Sequence, residues 1–464
     1  MNQKLSDYKK YIRNKRVAVL GIGISNTPLI KYLAAIGVDI TAFDKSEEKD
    51  LKDQLKALDG LKINYSLGKS YLSNLKGFDV IFKTPKVRYD IPELVAEESR
   101  DAEVTSEMEV FCNLCPARIF AVTGSDGKTT TTSLINEMLK GQGFKCWLGG
   151  NIGTPLLDKL DEIDENDMVV LELSSFQLHT MKCRLNTAII TNMSPNHLDV
   201  HESMNEYIDA KKNIFRYQTE ADHLILNYDN DITRSFAQEA KGKVVFFSRT
   251  KALEEGMILE NNNFIYKTDR KSESILAADE IFLPGVHNIE NYLAAATAVA
   301  EYVDSEVIRQ VARSFKGVEH RNEFVRELKG IKFYNDSIGS SPTRTIATMK
   351  SFKQKLILIT GGYDKNIPYD DMGKILTEQV KCLVLIGQTG ALIEKVFYDE
   401  MEKSGKGREI AVFKCHTLEE AVERAYSNAA ENDIVLLSPA SASFDMFANF
   451  EVRGNRFKEI VNNL

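Results

Sequence analysis

Val122–Thr132 reads VTGSDGKTTTT, and the fold turns on what stands either side of it. Upstream, Arg118–Val122 (RIFAV) is an apolar run of strand length. Downstream, Leu134, Ile135, Met138 and Leu139 share one face of a helix. Strand, glycine turn, Lys-Thr and helix make the arrangement in which backbone N–H groups converge on phosphate oxygens. Gly124 and Gly127 let the chain approach a phosphate without a Cβ in the way, around Ser125 and Asp126. The helix start, from Lys128 through Thr129 and Thr130, adds partial positive charge. Lys128 can reach terminal phosphates and Thr129 can ligate Mg²⁺. Two residues separate the glycines, fewer than in the full GxxxxGK(S/T) pattern, so an ordinary strand-to-helix turn is the competing reading. ATP is the expected ligand.

Around this stretch lie 464 residues, 43% hydrophobic and 27% charged, which is ordinary globular composition. That length implies roughly two to four domains of ~100–200 residues. A formal charge of −8 speaks against general nucleic-acid binding. The first residues, MNQKLSDYKKYIRNK, are basic without an apolar stretch, so no signal peptide is expected. No run of roughly 18 apolar residues suggests a membrane span, and a cytoplasmic protein is expected. Cysteines stand at 112, 115, 146, 183, 382 and 415. Cys112-x-x-Cys115 could be half a zinc site, but no second pair follows, and free thiols are the expectation.

Before the phosphate loop, Lys15–Leu20 (KRVAVL) predicts a strand into Gly21-Ile22-Gly23-Ile24-Ser25-Asn26. Leu29, Leu33 and Ile36 then have helical spacing, Gly37 closes the helix, and Asp39–Phe43 is the next strand, ending at Asp44. This is the pattern of a first βαβ unit in a dinucleotide-binding fold, with Asn26 where the third glycine of GxGxxG belongs. It supports a Rossmann-like domain without establishing NAD. Another strand (78–82, FDVIF) runs into Lys83-Thr84-Pro85, and the domain is expected to end near Pro116.

After the loop, Asp167–Leu173 (DMVVLEL) reads as a buried parallel strand interrupted by Glu172. A buried carboxylate needs a partner; Mg²⁺ at the phosphate loop is one candidate and a lysine the other. Thr187–Thr191 is a strand running into NMSPNHLD, which places His197 on the same sheet edge if the strands are parallel. Ala210-Lys211-Lys212 falls on a helix starting near Met204. Asn261-Asn262-Asn263 lies between GMIL and FIY as an antiparallel hairpin, and an alanine-rich helix spans Tyr292–Ala300. From His320 strand–helix alternation restarts, with strands at 331–335, 356–360, 382–386, 410–413 and 434–438. Helices are expected near 343–351, 370–379, 391–402 and 417–430, and a last one over 444–461. Strand-end loops there hold GGYDK (361–365) and SPASAS (438–443). The prediction is an α/β protein of three domains: Rossmann-like at 1–115, a central P-loop domain with a mostly parallel sheet at 116–318, and Rossmann-like at 319–464.

These domains, with GSDGKTT, Gly149-Gly150-Asn151-Ile152-Gly153, ELSSFQ (172–177) and SPASASFDMFANFEVRG (438–454), resemble the Mur ligases over nearly the whole chain. Within that family the motifs look like the branch that adds D-glutamate to UDP-N-acetylmuramoyl-L-alanine in peptidoglycan synthesis. The resemblance implies an ATP-dependent ligase forming an acyl phosphate with two Mg²⁺ ions. It implies Lys128 as phosphate lysine, Thr129 and Glu172 on the first metal and His197 on the second. Lys211 falls where the family carries a carbamylated lysine, with Lys212 as the alternative. Asn291, Arg321 and Asp336 match nucleotide contacts, the last two arriving with the third domain. Ile24, Ser25, Asp44, Lys45 and Thr84 match the uridine-diphosphate pocket and Asn151 a sugar-substrate contact. Lys365, Ser443 and Phe450 match the D-glutamate site. A monomer with no nucleic-acid or membrane partner is expected.

The chain departs from the family at Asn196, usually Asp, at Ile338, commonly Lys, and at Thr84-Pro85-Lys86, more often Ser-Pro-Gly. An NAD-dependent oxidoreductase, a catalytically silent nucleotide sensor, and neighbouring ligases or folylpolyglutamate synthase are the competing readings.

Overall fold

Alternation along the strands decides the layers. In the computed structural model Ile119 and Ala121 face one apolar core while Phe120 and Val122, one residue over, face another. A strand buried on both faces in this way must lie inside a sheet covered by helices on each side. The structure describes all residues except 1, 24–25, 86, 195–202, 284 and 365–366.

Among the described residues the strands form three sheets. The first runs β1 (Arg16–Leu20), β2 (Asp39–Asp44), β3 (Asn64–Leu67), β4 (Val80–Lys83) and β5 (Glu103–Thr105), all parallel, in the order β3-β2-β1-β4-β5. The missing third glycine has a structural reason. Asn26 opens the helix Asn26–Ala35, is 3% exposed, and its Nδ2 donates to Leu20 O at 3.0 Å and Gly21 O at 3.1 Å. An amide that closes the turn stands where a glycine would only allow close approach.

The second sheet holds β6 (Arg118–Thr123), β7 (Cys146–Gly150), β8 (Met168–Glu172), β9 (Thr187–Ile190), β10 (His223–Asn227), β11 (Lys243–Ser248), β12 (Gly256–Glu260), β13 (Asn263–Lys267) and β14 (Ser272–Ala277). Its order is β14-β13-β12-β11-β10-β9-β6-β8-β7, parallel except for the β12–β13–β14 meander. The predicted hairpin is β12–β13. Asn261 and Asn262 sit at φ 49° and 64°, which asparagine tolerates better than most residues. One apolar core runs continuously from the first sheet to one face of the second, so the two belong to one compact unit, Met1–Phe315.

The second unit, Lys316–Leu464, is built on β15 (Glu323–Leu328), β16 (Ile331–Asn335), β17 (Leu356–Thr360), β18 (Val380–Leu385), β19 (Ala411–Lys414) and β20 (Ile434–Leu437), in the order β15-β16-β20-β17-β18-β19. All pairs are parallel but β15–β16. Two corrections apply. β15 carries too many charges for its apolar pattern to be read. The last helix spans Phe450–Asn462 rather than starting at 444, because Asn449, extended at φ −159°, caps it by accepting from Val452 N at 2.8 Å. All six cysteines are free thiols, and a hydrogen bond with the neighbouring Cys183 thiol, together with burial, raises the pKa of Cys112.

Candidate functional site

The carboxyl ends of β6, β8 and β9 meet at the phosphate loop. Gly124 adopts φ 149°, where a Cβ would stand 2.0 Å from Thr191 Oγ1. Gly127, the N-cap of the helix Lys128–Gly141, adopts φ 77°, where a Cβ would stand 2.2 Å from Asn291 Oδ1. Both glycines are therefore demanded by conformation and by space. The loop is held from the β9 side. Thr191 Oγ1 donates to Asp126 O at 2.6 Å, Asn192 Oδ1 accepts from Asp126 N at 2.9 Å, and Ser125 N donates to Asn192 O at 2.9 Å. Ser125 is 3% exposed, and its hydroxyl lies 2.9 Å from Ser194 O and 3.0 Å from Tyr207 OH. Asp126 is exposed, Thr130 half-buried and Thr129 buried at the helix start. Lys128 folds back on the loop, its Nζ 3.0 Å from Gly124 O and 2.9 Å from Ser125 O.

Glu172 ends β8 one strand away and is 1% exposed. Its Oε1 accepts from Asn151 Nδ2 at 2.6 Å, whereas Oε2 has no hydrogen-bond partner among the described residues. Asn151 N also donates to Glu172 O at 2.8 Å, so the GGNIG turn is fastened to the strand end. A buried carboxylate oxygen left unpartnered beside a phosphate loop suits a cation.

The helix Met204–Arg216 brings Lys211 to the same edge. Lys211 is 1% exposed; its Nζ donates to Thr123 Oγ1 at 3.0 Å and Gly124 O at 2.8 Å. Burial pushes its pKa well below the ordinary lysine range, and the charge of Lys128 adds to that. Lys212, one residue on, turns away to Glu239 Oε1 at 2.5 Å. Asn291, on the helix Val286–Val299, is 6% exposed and accepts from Thr131 Oγ1 at 3.4 Å. His197 lies outside the described residues, and among those described no group of three or more His, Cys, Asp or Glu side chains forms a metal cage.

In the first sheet, Asp44 stiffens the glycine turn. Its Oδ2 accepts from Ile22 N at 2.8 Å and Oδ1 from Ser46 N at 2.9 Å. Thr84 adjoins Gly21, Lys45 is exposed, and Ile24 and Ser25 lie outside the described residues. Sequence reasoning passed over Lys83, the polar end of an apolar strand. It is 4% exposed, its Nζ donates to Val87 O at 3.4 Å, and burial lowers its pKa to about 8.

In the second unit, Asp336 is 2% exposed, accepting from Ser438 Oγ at 2.7 Å and Asn322 N at 3.2 Å. Burial raises its pKa against those bonds. Arg321 is half-buried, Ser443 is buried, and Phe450 O accepts from Ser337 Oγ at 2.7 Å. Lys365 lies outside the described residues. Arg453 was also missed. It is 1% exposed and donates to Ser337 Oγ, Ser337 O, Ala442 O and Ser441 O at 2.8–3.2 Å, joining two strand-end loops to the last helix. Its signal was an arginine in an otherwise core-facing helical position.

Comparison with known proteins covers all three sheets. Residues 15–106 match the description "Mur ligase MurD-like, N-terminal domain", 122–299 "Mur ligase middle domain", and 320–441 "Mur ligase, glutamate ligase domain". The chain is 64% identical to the UDP-N-acetylmuramoylalanine–D-glutamate ligase of Acetivibrio thermocellus and 59% identical to that of Ruminiclostridium cellulolyticum. All of both chains is covered in each case. Among solved structures, the UDP-N-acetylmuramate-alanine ligase MurC of Thermotoga maritima has the same fold, with TM-score 0.55 at 21% identity over 97% of this chain and 99% of that one. The MurF ligase of Thermotoga maritima, solved in complex with ADP, matches at TM-score 0.50 and 16% identity over 89% of this chain and 92% of that one.

Proposed function

This chain belongs to the Mur ligase family, and on that premise we propose that it uses ATP to join the amine of D-glutamate to the carboxylate of UDP-N-acetylmuramoyl-L-alanine in peptidoglycan precursor synthesis. The full-length likeness to ligases of that name supports the choice of substrates. The observation that carries the chemistry is the unpartnered Glu172 Oε2 beside a phosphate loop and a buried lysine at one sheet edge.

A carboxylate resists attack by an amine. In the proposed reaction a carboxylate oxygen takes the γ-phosphoryl group of ATP, ADP leaves, and the acyl phosphate is attacked at carbon by the amine. The amine loses a proton, and phosphate departs with one oxygen of the former carboxylate. The protein's task is placement and charge neutralisation. The amides from Gly124 to Thr130 cradle phosphates, and Lys128 exchanges two loop carbonyls for phosphate oxygens. Asn291, Arg321 and Asp336 are the further nucleotide contacts.

Thr129, Glu172, His197 and Lys211 would hold two Mg²⁺ ions, which supply positive charge between the phosphates and the substrate carboxylate. Lys211 suits carbamylation because a buried amine held neutral is the form that takes up CO₂, and the carbamate offers oxygen donors to a hard cation. Ile24, Ser25, Asp44, Lys45, Thr84 and Asn151 are proposed for the UDP substrate. Lys365, Ser443 and Phe450 are proposed for D-glutamate. The domain limits 1–115, 116–318 and 319–464, a monomeric state and a cytoplasmic location complete the reading. No described helix is long and apolar enough to cross a membrane.

Labelling tests the acyl phosphate. With ¹⁸O in the alanyl carboxylate of the UDP substrate, the released phosphate is expected to carry one labelled oxygen per turnover. Unlabelled phosphate formed alongside product would overturn this route.

A further inference from the structure

We propose that Lys83 is a phosphate-binding cation of the first sheet and holds the diphosphate of the nucleotide-linked substrate. The inference rests on the ligase reading above and extends it to a residue that reading does not assign.

The topology of the first sheet marks the place. β1 lies between β2 and β4, and the chain leaves β1 and β4 over opposite faces. After β1 the helix Asn26–Ala35 packs Leu29, Ile30 and Leu33 into one apolar core. After β4 the helix Pro92–Glu98 packs Leu94 into another. The carboxyl ends of β1 and β4 therefore flank the crevice where an open parallel sheet takes its ligand. Lys83 ends β4 in register with Leu20, the residue before the glycine turn. Thr84, the next residue, reaches across to that turn. Its N donates to Leu20 O at 3.2 Å, and a Cβ on Gly21 would stand 3.0 Å from its Cγ2.

At this edge the bonding of Lys83 is unfinished. An ammonium carries three N–H donors, and burial to 4% exposure keeps water from taking them. One goes to Val87 O at 3.4 Å, longer than an ordinary N–H···O bond. Among the described residues no carboxylate stands within ion-pair distance of it. Glu109 acts on it only at longer range, for its Oε1 accepts from Lys182 N at 3.0 Å and its Oε2 from Thr105 Oγ1 at 3.2 Å. A cation buried without a counter-ion lowers stability, and an apolar side chain would avoid that cost. Such a cost is met where the partner arrives with a ligand.

The substrate's nucleotide part supplies one anionic group, its diphosphate; uracil and ribose carry no charge. Asp44, at the end of β2, commits its Oδ2 to Ile22 N in the glycine turn and adds a negative charge nearby. A diphosphate here therefore needs a cation. The flexible four-carbon stem of Lys83 lets its ammonium exchange Val87 O for a phosphate oxygen.

The test is calorimetric titration of wild type, Lys83→Met and Lys83→Gln with UDP and with uridine, beside thermal unfolding without ligand. Wild type should bind UDP more tightly than uridine. Both variants should lose UDP affinity about tenfold or more, the loss expected for one charge-assisted hydrogen bond, and keep uridine affinity within about twofold. Lys83→Met should also unfold at a higher temperature than wild type, because an unpaired buried charge gives way to an apolar chain of similar length. Wild type that binds no UDP would overturn the substrate assignment of the ligase reading and this inference with it. Wild type that binds UDP, with variants that bind it equally well or lose UDP and uridine alike, would overturn this inference alone.

Discussion

Glu107 is a carboxyl group where a carboxylate is costly. It opens the helix Glu107–Leu114 between the first and second sheets, is 6% exposed, and its Oε1 accepts from Leu157 N at 3.1 Å. Burial raises its pKa from 4.5 to about 7 despite the backbone N–H bonds that favour the charged form. Because the folded value lies above the unfolded one, the folded state holds this proton more tightly. Its contribution to stability is present below about pH 4.5 and is lost as pH rises to about 7. The size of that loss is at most about 3 kcal/mol. Glu107→Gln keeps an acceptor for Leu157 N without the charge. It should therefore raise the urea midpoint at pH 8 and change it little at pH 5; equal shifts at both pH values would contradict the assignment. At this scale the sequence is legible where chemistry is local. Lys128 and Glu172 stood out from their neighbours alone, whereas Glu107, Lys83 and Arg453 did not, because burial of a charged residue comes from segments far away in the chain.

The glycines separate conformation from space. Gly127 and Gly37 both have positive φ, 77° and 82°, but a Cβ at Gly127 would meet Asn291 Oδ1 while one at Gly37 meets nothing within 4 Å. Gly37→Ala should cost roughly 1–2 kcal/mol of stability, the strain of a left-handed alanine, and leave nucleotide affinity unchanged. Gly127→Ala carries the same strain and displaces Asn291 as well, so ATP affinity should fall at least about tenfold. Nucleotide titration beside an unfolding curve distinguishes the two, and equal ATP affinity in both variants would show that the loop tolerates a Cβ. Elements with clean periodicity were legible within a few residues: β1, β2, β6, β16, β17, β20 and the β12–β13 hairpin. β14 and β15 were not, because both are edge strands whose polar residues face water. The last helix was read too long because apolar spacing cannot see that Asn449 ends one conformation and caps the next.

The whole molecule repeats one device three times: a parallel-rich sheet whose carboxyl edge carries the loops proposed to bind ligands. Restarting strand–helix alternation made the three domains legible, since each restart implies a new sheet. Single sheets also explain why Lys128, Thr129 and Glu172 could be grouped in advance, for parallel strands bring their carboxyl ends together, whereas Lys211, on a helix, was reached only through motif resemblance. Arg321, Asp336 and Ser443 were reachable only through motif resemblance, because no periodic pattern relates one sheet's edge to another's. The central claim is the proposed reaction, transfer of D-glutamate onto an activated alanyl carboxylate. Phosphate release from ATP, measured with UDP-N-acetylmuramoyl-L-alanine and a panel of amino acids, tests it most directly. The account predicts release only when both the UDP substrate and D-glutamate are present, with L-glutamate a poor replacement and a product heavier by one glutamyl residue. Release that does not depend on the UDP substrate, or that proceeds equally well with L-glutamate, would contradict it.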